Sequence, residues 1–153
     1  MLNGKIYAVG GWNDSEATLA SAEVLDTRVG DSIQAWVSVP PMATARRTHA
    51  AAALNGKLFI VGGSNSVTDQ SSVESFDPIM VVWTTLAPMS IPRAMLGVAV
   101  LEEKLYAFGG HNRRNVQAST EILDLSVGAF GAWRPSLPMK ARRAGLTAGC
   151  FCV

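Results

Sequence analysis

Short runs of consecutive apolar residues recur along the chain and are separated by glycine, proline and polar residues. One kind of run begins with a lysine and ends in a Gly-Gly pair, at 5–11, 57–63 and 104–110. A second kind follows an arginine, at 48–54, 94–101 and 144–152. Runs of this length predict β-strands. Because neighbouring positions are all apolar rather than alternating, we expect both faces of the sheets to be covered.

Polar residues recur in a fixed order after the lysine-led runs and indicate an internal repeat. Ser-x-Glu, an aspartate, a tryptophan, a Pro-Met pair and an arginine follow one another three times, with a period of about 50 residues. The stretch between the aspartate and the tryptophan varies most in length, as expected for a repeated unit with one variable loop. The repeated positions are Gly10, Gly11, Glu23, Trp36 and Arg46; Gly62, Gly63, Glu74, Trp83 and Arg93; and Gly109, Gly110, Glu121, Trp133 and Arg143.

Each repeat predicts four short strands. Strand A follows the arginine and strand B is the lysine-led run. Strand C covers the segment from the glutamate to the aspartate, and strand D surrounds the tryptophan. Each Gly-Gly pair supplies the positive φ needed for a tight exit from strand B.

In this order and at this spacing, the elements resemble the kelch repeat, and the resemblance spans essentially the whole chain. It implies an all-β fold, a segment of a kelch-type β-propeller whose blades are four-stranded antiparallel sheets with strand A innermost. Strands B–D of blade one would occupy 1–42, blade two 46–89 and blade three 93–139. A lone strand A of a next blade would follow at 143–153.

Three blades are fewer than the roughly four to eight with which propellers generally close. The first unit starts at a strand B, so its strand A must come from another blade, another chain or 143–153. Three arrangements stay open: a piece of a larger kelch protein, which we favour, a ring made by two copies, and a strained ring of three blades. We therefore expect further blades in cis or in a homodimer.

Composition and charge limit the partners. The 153 residues are 48% hydrophobic and carry a net charge of +1, which argues against general nucleic-acid or anionic-membrane binding. No apolar run is long enough to span a bilayer, and the amino end lacks a secretory signal pattern. Cys150 and Cys152 are too close in sequence for an unstrained disulfide. These features predict a cytoplasmic protein.

The sequence contains no recognisable catalytic motif. The two histidines, His49 and His111, and the Cys-x-Cys pair have the wrong spacing for a zinc site. Serine, histidine and aspartate are all present, but no motif places them together. We therefore predict a non-enzymatic protein with no catalytic residues, no metal and no cofactor.

The repeated polar residues are better assigned to structure, because catalytic groups are rarely present once per repeat. Strand polarity puts the repeated glutamates and arginines at the same end of each blade, so we predict buried or half-buried ion pairs. The three tryptophans should wedge between blades.

The loops that differ between repeats are the better candidates for function. The B–C loops and the D–A loops share one end of the blades, and there they offer one aromatic anchor, several amides and a patch of arginines. Such a surface suits an acidic or phosphorylated segment of a partner protein. The candidate partner-binding residues are Trp12, Asn13, Asp14, Arg47, Ser64, Asn65, His111, Asn112, Arg113, Arg114 and Arg142.

The family resemblance implies a protein–protein interaction module. Many kelch proteins serve as the substrate-recognition part of ubiquitin ligase adaptors through a separate BTB domain, and that role is one expectation. Two alternatives follow from the same resemblance: a carbohydrate-acting kelch enzyme of the sialic-acid mutarotase kind, and an actin-binding kelch protein.

Overall fold

The computed structural model describes residues 4–28, 35–126 and 131–147, whose regular structure is entirely β-sheet. No helix in these ranges offers a membrane-crossing segment. The strands are β1 Lys5–Val9, β2 Ala22–Asp26, β3 Val37–Val39, β4 Ala50–Leu54, β5 Lys57–Val61, β6 Val73–Asp77, β7 Val82–Leu86, β8 Gly97–Leu101, β9 Lys104–Phe108, β10 Thr120–Asp124 and β11 Trp133–Ser136.

The strands pair with their neighbours in chain order to give antiparallel sheets, which confirms the predicted all-β fold. Blade two is β4-β5-β6-β7 and blade three is β8-β9-β10-β11. Blade one has the three strands β1-β2-β3, so β1 takes the place of strand B, and no strand A pairs with it in the part of the chain that the structure describes. Of the predicted third strand A, residues 144–147 are not in a strand, and 148–152 lie outside the described residues.

Strand β5 shows why the apolar runs do not alternate with polar residues. Successive side chains of a strand point to opposite faces. Leu58 and Ile60 pack with Met42 and Phe76 against residues of blade one. Phe59 and Val61 belong to the second cluster, which includes Leu96, Val98, Leu105 and Trp133 of blade three. The middle blade is therefore covered on both faces.

The tryptophans of the second and third repeats tie neighbouring blades together. The Trp83 Nε1–H donates to the Pro40 carbonyl at 2.7 Å, and the Trp133 Nε1–H donates to the Ala87 carbonyl at 3.0 Å. Both acceptors lie in the segment that leaves the preceding blade. Trp36 does not fit the predicted wedge, because it is 46% exposed and the described residues contain no blade before its own.

A buried ion pair joins the start of blade two to its strand C. The Arg46 Nη2 lies 2.7 Å from Glu74 Oε1, and the two side chains are 0% and 2% exposed. Arg46 Nη1 also donates to the carbonyls of Gly62 and Ser72 at 2.8 and 3.1 Å. The other carboxylate oxygen of Glu74 accepts the Ala43 N–H at 2.7 Å. Burial lowers the pKa of Arg46, and the charge of Glu74 acts against that shift.

Blade three repeats this arrangement. Arg93 Nη2 lies 3.0 Å from Glu121 Oε1, and Arg93 Nη1 donates to the Gly109 carbonyl at 2.7 Å. The remaining repeat residues, Glu23 and Arg143, are exposed and have no ion-pair partner within the described ranges. Each belongs to an incomplete copy of the unit, so the predicted ion pair forms only where the arginine and strand C belong to one complete blade.

A chain of main-chain hydrogen bonds crosses from blade to blade just before each strand A. Met95 N–H donates to the Thr48 carbonyl at 2.9 Å, and Gly145 N–H donates to the Met95 carbonyl at 2.8 Å. These residues hold the same repeat position, and all three have a left-handed φ, between 53° and 64°. This conformation is unfavourable for residues other than glycine, so the contact between blades is made against local backbone strain at Thr48 and Met95.

His49 occupies a position that is apolar in the other repeats, where Leu96 and Leu146 stand. It packs against blade one, because a Cβ added to Gly10 would lie 3.0 Å from His49 Cε1, and a Cβ added to Gly63 of its own blade would lie 2.9 Å from the His49 Cβ. Its Nδ1 is buried and has no hydrogen-bond partner among the described residues. Burial lowers the pKa of His49, and the nearby charge of Arg46 lowers it further.

We expect Glu74→Gln to lower the free energy of unfolding by about 3 kcal/mol, because it leaves the buried Arg46 without a counter-charge. The measurement is urea-induced unfolding at pH 7. Glu23→Gln is the matched control, since it changes the same repeat position where the side chain is exposed, and it should change the stability by less than about 0.5 kcal/mol. Equal effects of the two substitutions would contradict the importance of the buried pair.

We expect His49→Leu to reduce the loss of stability on acidification. The folded protein holds the pKa of His49 below its ordinary value of about 6.5, so the unfolded chain binds the proton more readily. The contribution of His49 is therefore complete above about pH 6.5 and is lost as the pH falls towards its lowered folded pKa. Urea unfolding of both proteins between pH 7 and pH 5 measures the difference. Parallel pH profiles would show that His49 has no such role.

Candidate functional site

In blades two and three, main-chain hydrogen bonds between the residues next to strands A and B hold the first residue of the B–C loop. Arg47 and Ser64 exchange two main-chain hydrogen bonds of 2.9 and 2.8 Å, and Ala94 and His111 exchange two of 2.9 Å. The residue after the second and the third Gly-Gly pair therefore lies directly opposite the residue after the repeated arginine. The glycines are required here, since a Cβ on Gly62 would lie 2.4 Å from the Arg93 carbonyl oxygen.

The three B–C loops are shaped by asparagines at equivalent positions. Asn13 Oδ1 accepts the main-chain N–H of Ala17 at 3.1 Å, and Asn65 Oδ1 accepts that of Thr68 at 2.8 Å. Asn112 Oδ1 accepts the N–H of Asn115 at 3.0 Å. These amides, which the sequence suggested for partner binding, already bond within their own loops.

Neighbouring loops also contact one another through Ser66 of the middle blade. Its Oγ lies 2.6 Å from Thr18 Oγ1 of blade one. Its carbonyl accepts a hydrogen bond of 2.8 Å from Arg113 Nη2 of blade three. The B–C loops of the three blades thus form a connected face rather than separate projections.

A cavity of about 460 Å³ opens on this loop face. The Arg47 guanidinium carbon lies 5.9 Å from the centroid of the Trp12 ring, a cation–π distance. Trp12 itself is 62% exposed. The cavity is lined by Trp12, Arg47, Thr48, Ser64, Ser66, Asp69, Ala94, Met95, His111 and Arg113.

One acidic side chain, that of Asp69, lines the cavity together with the two arginines. Asp69 Oδ2 lies 3.2 Å from His111 Nδ1, and the Asp69 side chain is only 5% exposed. The His111 Nδ1 is also 3.3 Å from the Arg113 main-chain N–H. Asp69 stands on the returning side of its loop, where it forms a β-bridge with Ser64.

The structure brings together five of the sequence-predicted residues, Trp12, Arg47, Ser64, His111 and Arg113, around the cavity. The other six do not line it: Asn13, Asp14, Asn65, Asn112, Arg114 and Arg142.

Five residues that line the cavity are absent from the sequence-predicted set: Thr48, Ser66, Asp69, Ala94 and Met95. The spacing within the repeat could have indicated Asp69. Asp69 lies four residues after Asn65, just as Val116 lies four residues after Asn112, and each of the two forms the β-bridge that closes its loop.

The serine hydroxyls at the cavity are engaged in hydrogen bonds within and between the loops. The Ser64 hydroxyl donates to the Thr68 carbonyl at 3.2 Å, and Ser66 Oγ is bonded to Thr18. Neither hydroxyl has a hydrogen bond to His111 in the described residues, although a serine nucleophile needs one to its base. No group of three or more His, Cys, Asp or Glu side chains within 4–28, 35–126 and 131–147 is arranged to hold a metal. Cys150 and Cys152 lie outside these ranges.

Comparison with known proteins places all three repeats in one family. The sequence model of the Kelch motif family matches residues 1–43, 45–90 and 92–139. An F-box/kelch-repeat protein of Arabidopsis thaliana is 36% identical over 73 residues, which are 48% of this chain and 18% of that protein. Human Kelch-like protein 30 is 35% identical over 78 residues, 50% of this chain and 13% of that protein.

A mouse homolog of the influenza virus NS1A-binding protein is 38% identical over 71 residues, which are 46% of this chain and 10% of that protein. These matches therefore span less than a fifth of each curated relative.

The solved structure of YjhT superposes with a TM-score of 0.76 at 15% sequence identity. The superposition covers 94% of this chain and 52% of that one. With the family match across all three repeats and the antiparallel blades described above, the chain belongs to the kelch-repeat family and folds as a segment of a kelch β-propeller.

Proposed function

We propose that this chain is part of a protein-interaction module whose loop face binds an acidic or phosphorylated segment of another protein. The observation that carries the proposal is that loops from different blades, which vary between the repeats, meet around one cavity with two arginines and an exposed tryptophan. The repeated polar residues of the complete blades are buried elsewhere, in the Arg–Glu pairs.

The chemistry of the cavity supports an acidic ligand. Guanidinium groups bind carboxylates through two parallel hydrogen bonds, and these charge-assisted bonds are stronger than neutral ones. Arg47 and Arg113 come from different blades, so a ligand that contacts both must span the cavity. Trp12 offers an aromatic surface of the kind that anchors interfaces.

In this proposal the module acts without catalysis, which the hydroxyl bonding of Ser64 and Ser66 supports. A finer proposal is that the whole protein acts in the cytoplasm as the substrate-recognition part of a ubiquitin ligase adaptor. The support for it is the resemblance to an F-box/kelch-repeat protein and to a Kelch-like protein, each of which the chain covers only in part.

We expect Arg113→Ala to weaken binding of acidic peptides by about tenfold, because a charge-assisted hydrogen bond contributes roughly 1.5–3 kcal/mol. An array of short random peptides selects the binders, and fluorescence anisotropy then gives their Kd for the wild type and the variant. Arg114→Ala is the matched control, since it removes the same charge from the next residue, which does not line the cavity.

The selected peptides should be enriched in Asp and Glu, and replacing those residues by Asn and Gln should abolish binding. If the two arginine variants bound equally well, or if the array showed no preference for acidic residues, the proposed function would be wrong.

A further inference from the structure

One oxygen of the buried Asp69 carboxylate has no hydrogen-bond partner among the described residues when His111 Nδ1 is unprotonated. Asp69 Oδ2 is inaccessible and accepts no hydrogen bond from any described residue. An unsatisfied buried acceptor is destabilising, and more so when it is charged. The nearest group that could satisfy it is the His111 imidazole, whose Nδ1 lies 3.2 Å away.

The two protonation states of His111 treat Asp69 differently. When Nδ1 carries no proton, its single lone pair accepts the Arg113 main-chain N–H over a long 3.3 Å, and Oδ2 has no donor. When Nδ1 carries a proton, in the neutral Nδ1–H tautomer or in the imidazolium, it can donate to Oδ2, and only the imidazolium adds the attraction of opposite charges. Asp69 therefore favours the imidazolium, whereas the cations of Arg47 and Arg113 in the same cavity oppose it.

The charge of the cavity depends on this proton. With neutral His111, the two arginines and Asp69 give the cavity a net charge of about +1, which complements a carboxylate. With the imidazolium, the net charge is about +2, which complements a dianion such as a phosphate ester near neutral pH. A dianion offsets the repulsion that the arginines exert on the imidazolium, so proton uptake and dianion binding favour each other.

We propose that the cavity is a binding site for a phosphorylated side chain of the partner, and that His111 takes up a proton and becomes an imidazolium when the dianion binds. This inference rests on the proposed function, because it chooses the ligand of the same face. Arg113 uses Nη2 for the Ser66 carbonyl, so its Nε and Nη1 remain to contact the phosphate. Arg47 pairs with Ser64 through the main chain, also lines the cavity and supplies the second guanidinium.

The test measures binding of inorganic sulfate by amide chemical-shift titration of the full chain between pH 8 and pH 5.5, at constant ionic strength. Sulfate stays a dianion over this range, so the pH dependence reports the protein alone. We expect the Kd of the wild type to fall about tenfold on acidification, since one added positive charge near the anion contributes roughly this much at a protein surface. Arg114→Ala, the control, should show the same tenfold gain.

His111→Asn should bind sulfate with the same Kd at every pH, and Asp69→Asn should shift the gain to lower pH. Circular dichroism establishes that each variant is folded, and His111→Gln replaces a variant that is not. At pH 7, N-acetyl-phosphoserine amide should bind at least tenfold more tightly than N-acetyl-serine amide, and a phosphorylated peptide more tightly than inorganic phosphate.

A wild type whose sulfate affinity does not change with pH, or a His111→Asn variant that keeps the gain, would overturn the inference. If acidic peptides still bound through Arg113 in that case, the proposed function would stand. A pH-dependent sulfate site on a protein that selects no acidic or phosphorylated peptide would instead overturn the proposed function. If inorganic phosphate bound as tightly as the phosphorylated peptide, the ligand would be free phosphate and the partner assignment would fail.

Discussion

The buried Arg–Glu pair is the interaction on which the blade architecture depends. Arg46 reaches the main-chain carbonyls at the end of strand B and before strand C, while Glu74 accepts main-chain N–H groups from the segment that leads out of blade one. Removing two charges from water is expensive, and their attraction repays this only when the remaining donors and acceptors are also satisfied. Here they are satisfied by turns that would otherwise leave buried main-chain groups unpaired. The pair thus holds the turns and the strands in a single geometry.

This arrangement separates the residues that build the blades from those that can vary. In the complete blades, the side chains at the repeated positions make contacts within a blade or between blades, and the hydrogen bonds of Trp83 and Trp133 are two examples. Ser64 and His111 begin the second and third B–C loops and are held by main-chain hydrogen bonds that need no particular side chain, so the residues at this repeat position can differ. The loop residues can therefore vary while the repeated β-sheets that position them stay the same, and rigid folds commonly present binding residues in this way.

The sequence predicted the strands well because the signals for them are local: apolar runs, glycine pairs and the repeat period. It also placed Arg113 and His111 at one end of the blades, since strand polarity alone decides that. The approach of Asp69 to His111 could not be predicted, because it depends on the rotation of one blade relative to the next. Met95 was missed for a similar reason, since its left-handed φ serves a contact with another blade. The asparagines were interpreted as binding residues because their capping role depends on the loop conformation, which apolar periodicity does not describe.

The middle B–C loop is braced from both sides, since the hydroxyl of Ser66 is bonded to one neighbouring loop and its carbonyl to the other. Loops that are disordered before they meet a ligand forfeit conformational entropy when they close on it, and this weakens the affinity. A loop that is already immobilised by its neighbours forfeits little. In the proposed function, this face would therefore bind by rigid docking, with fast recognition of a segment that fits and weak binding of one that does not.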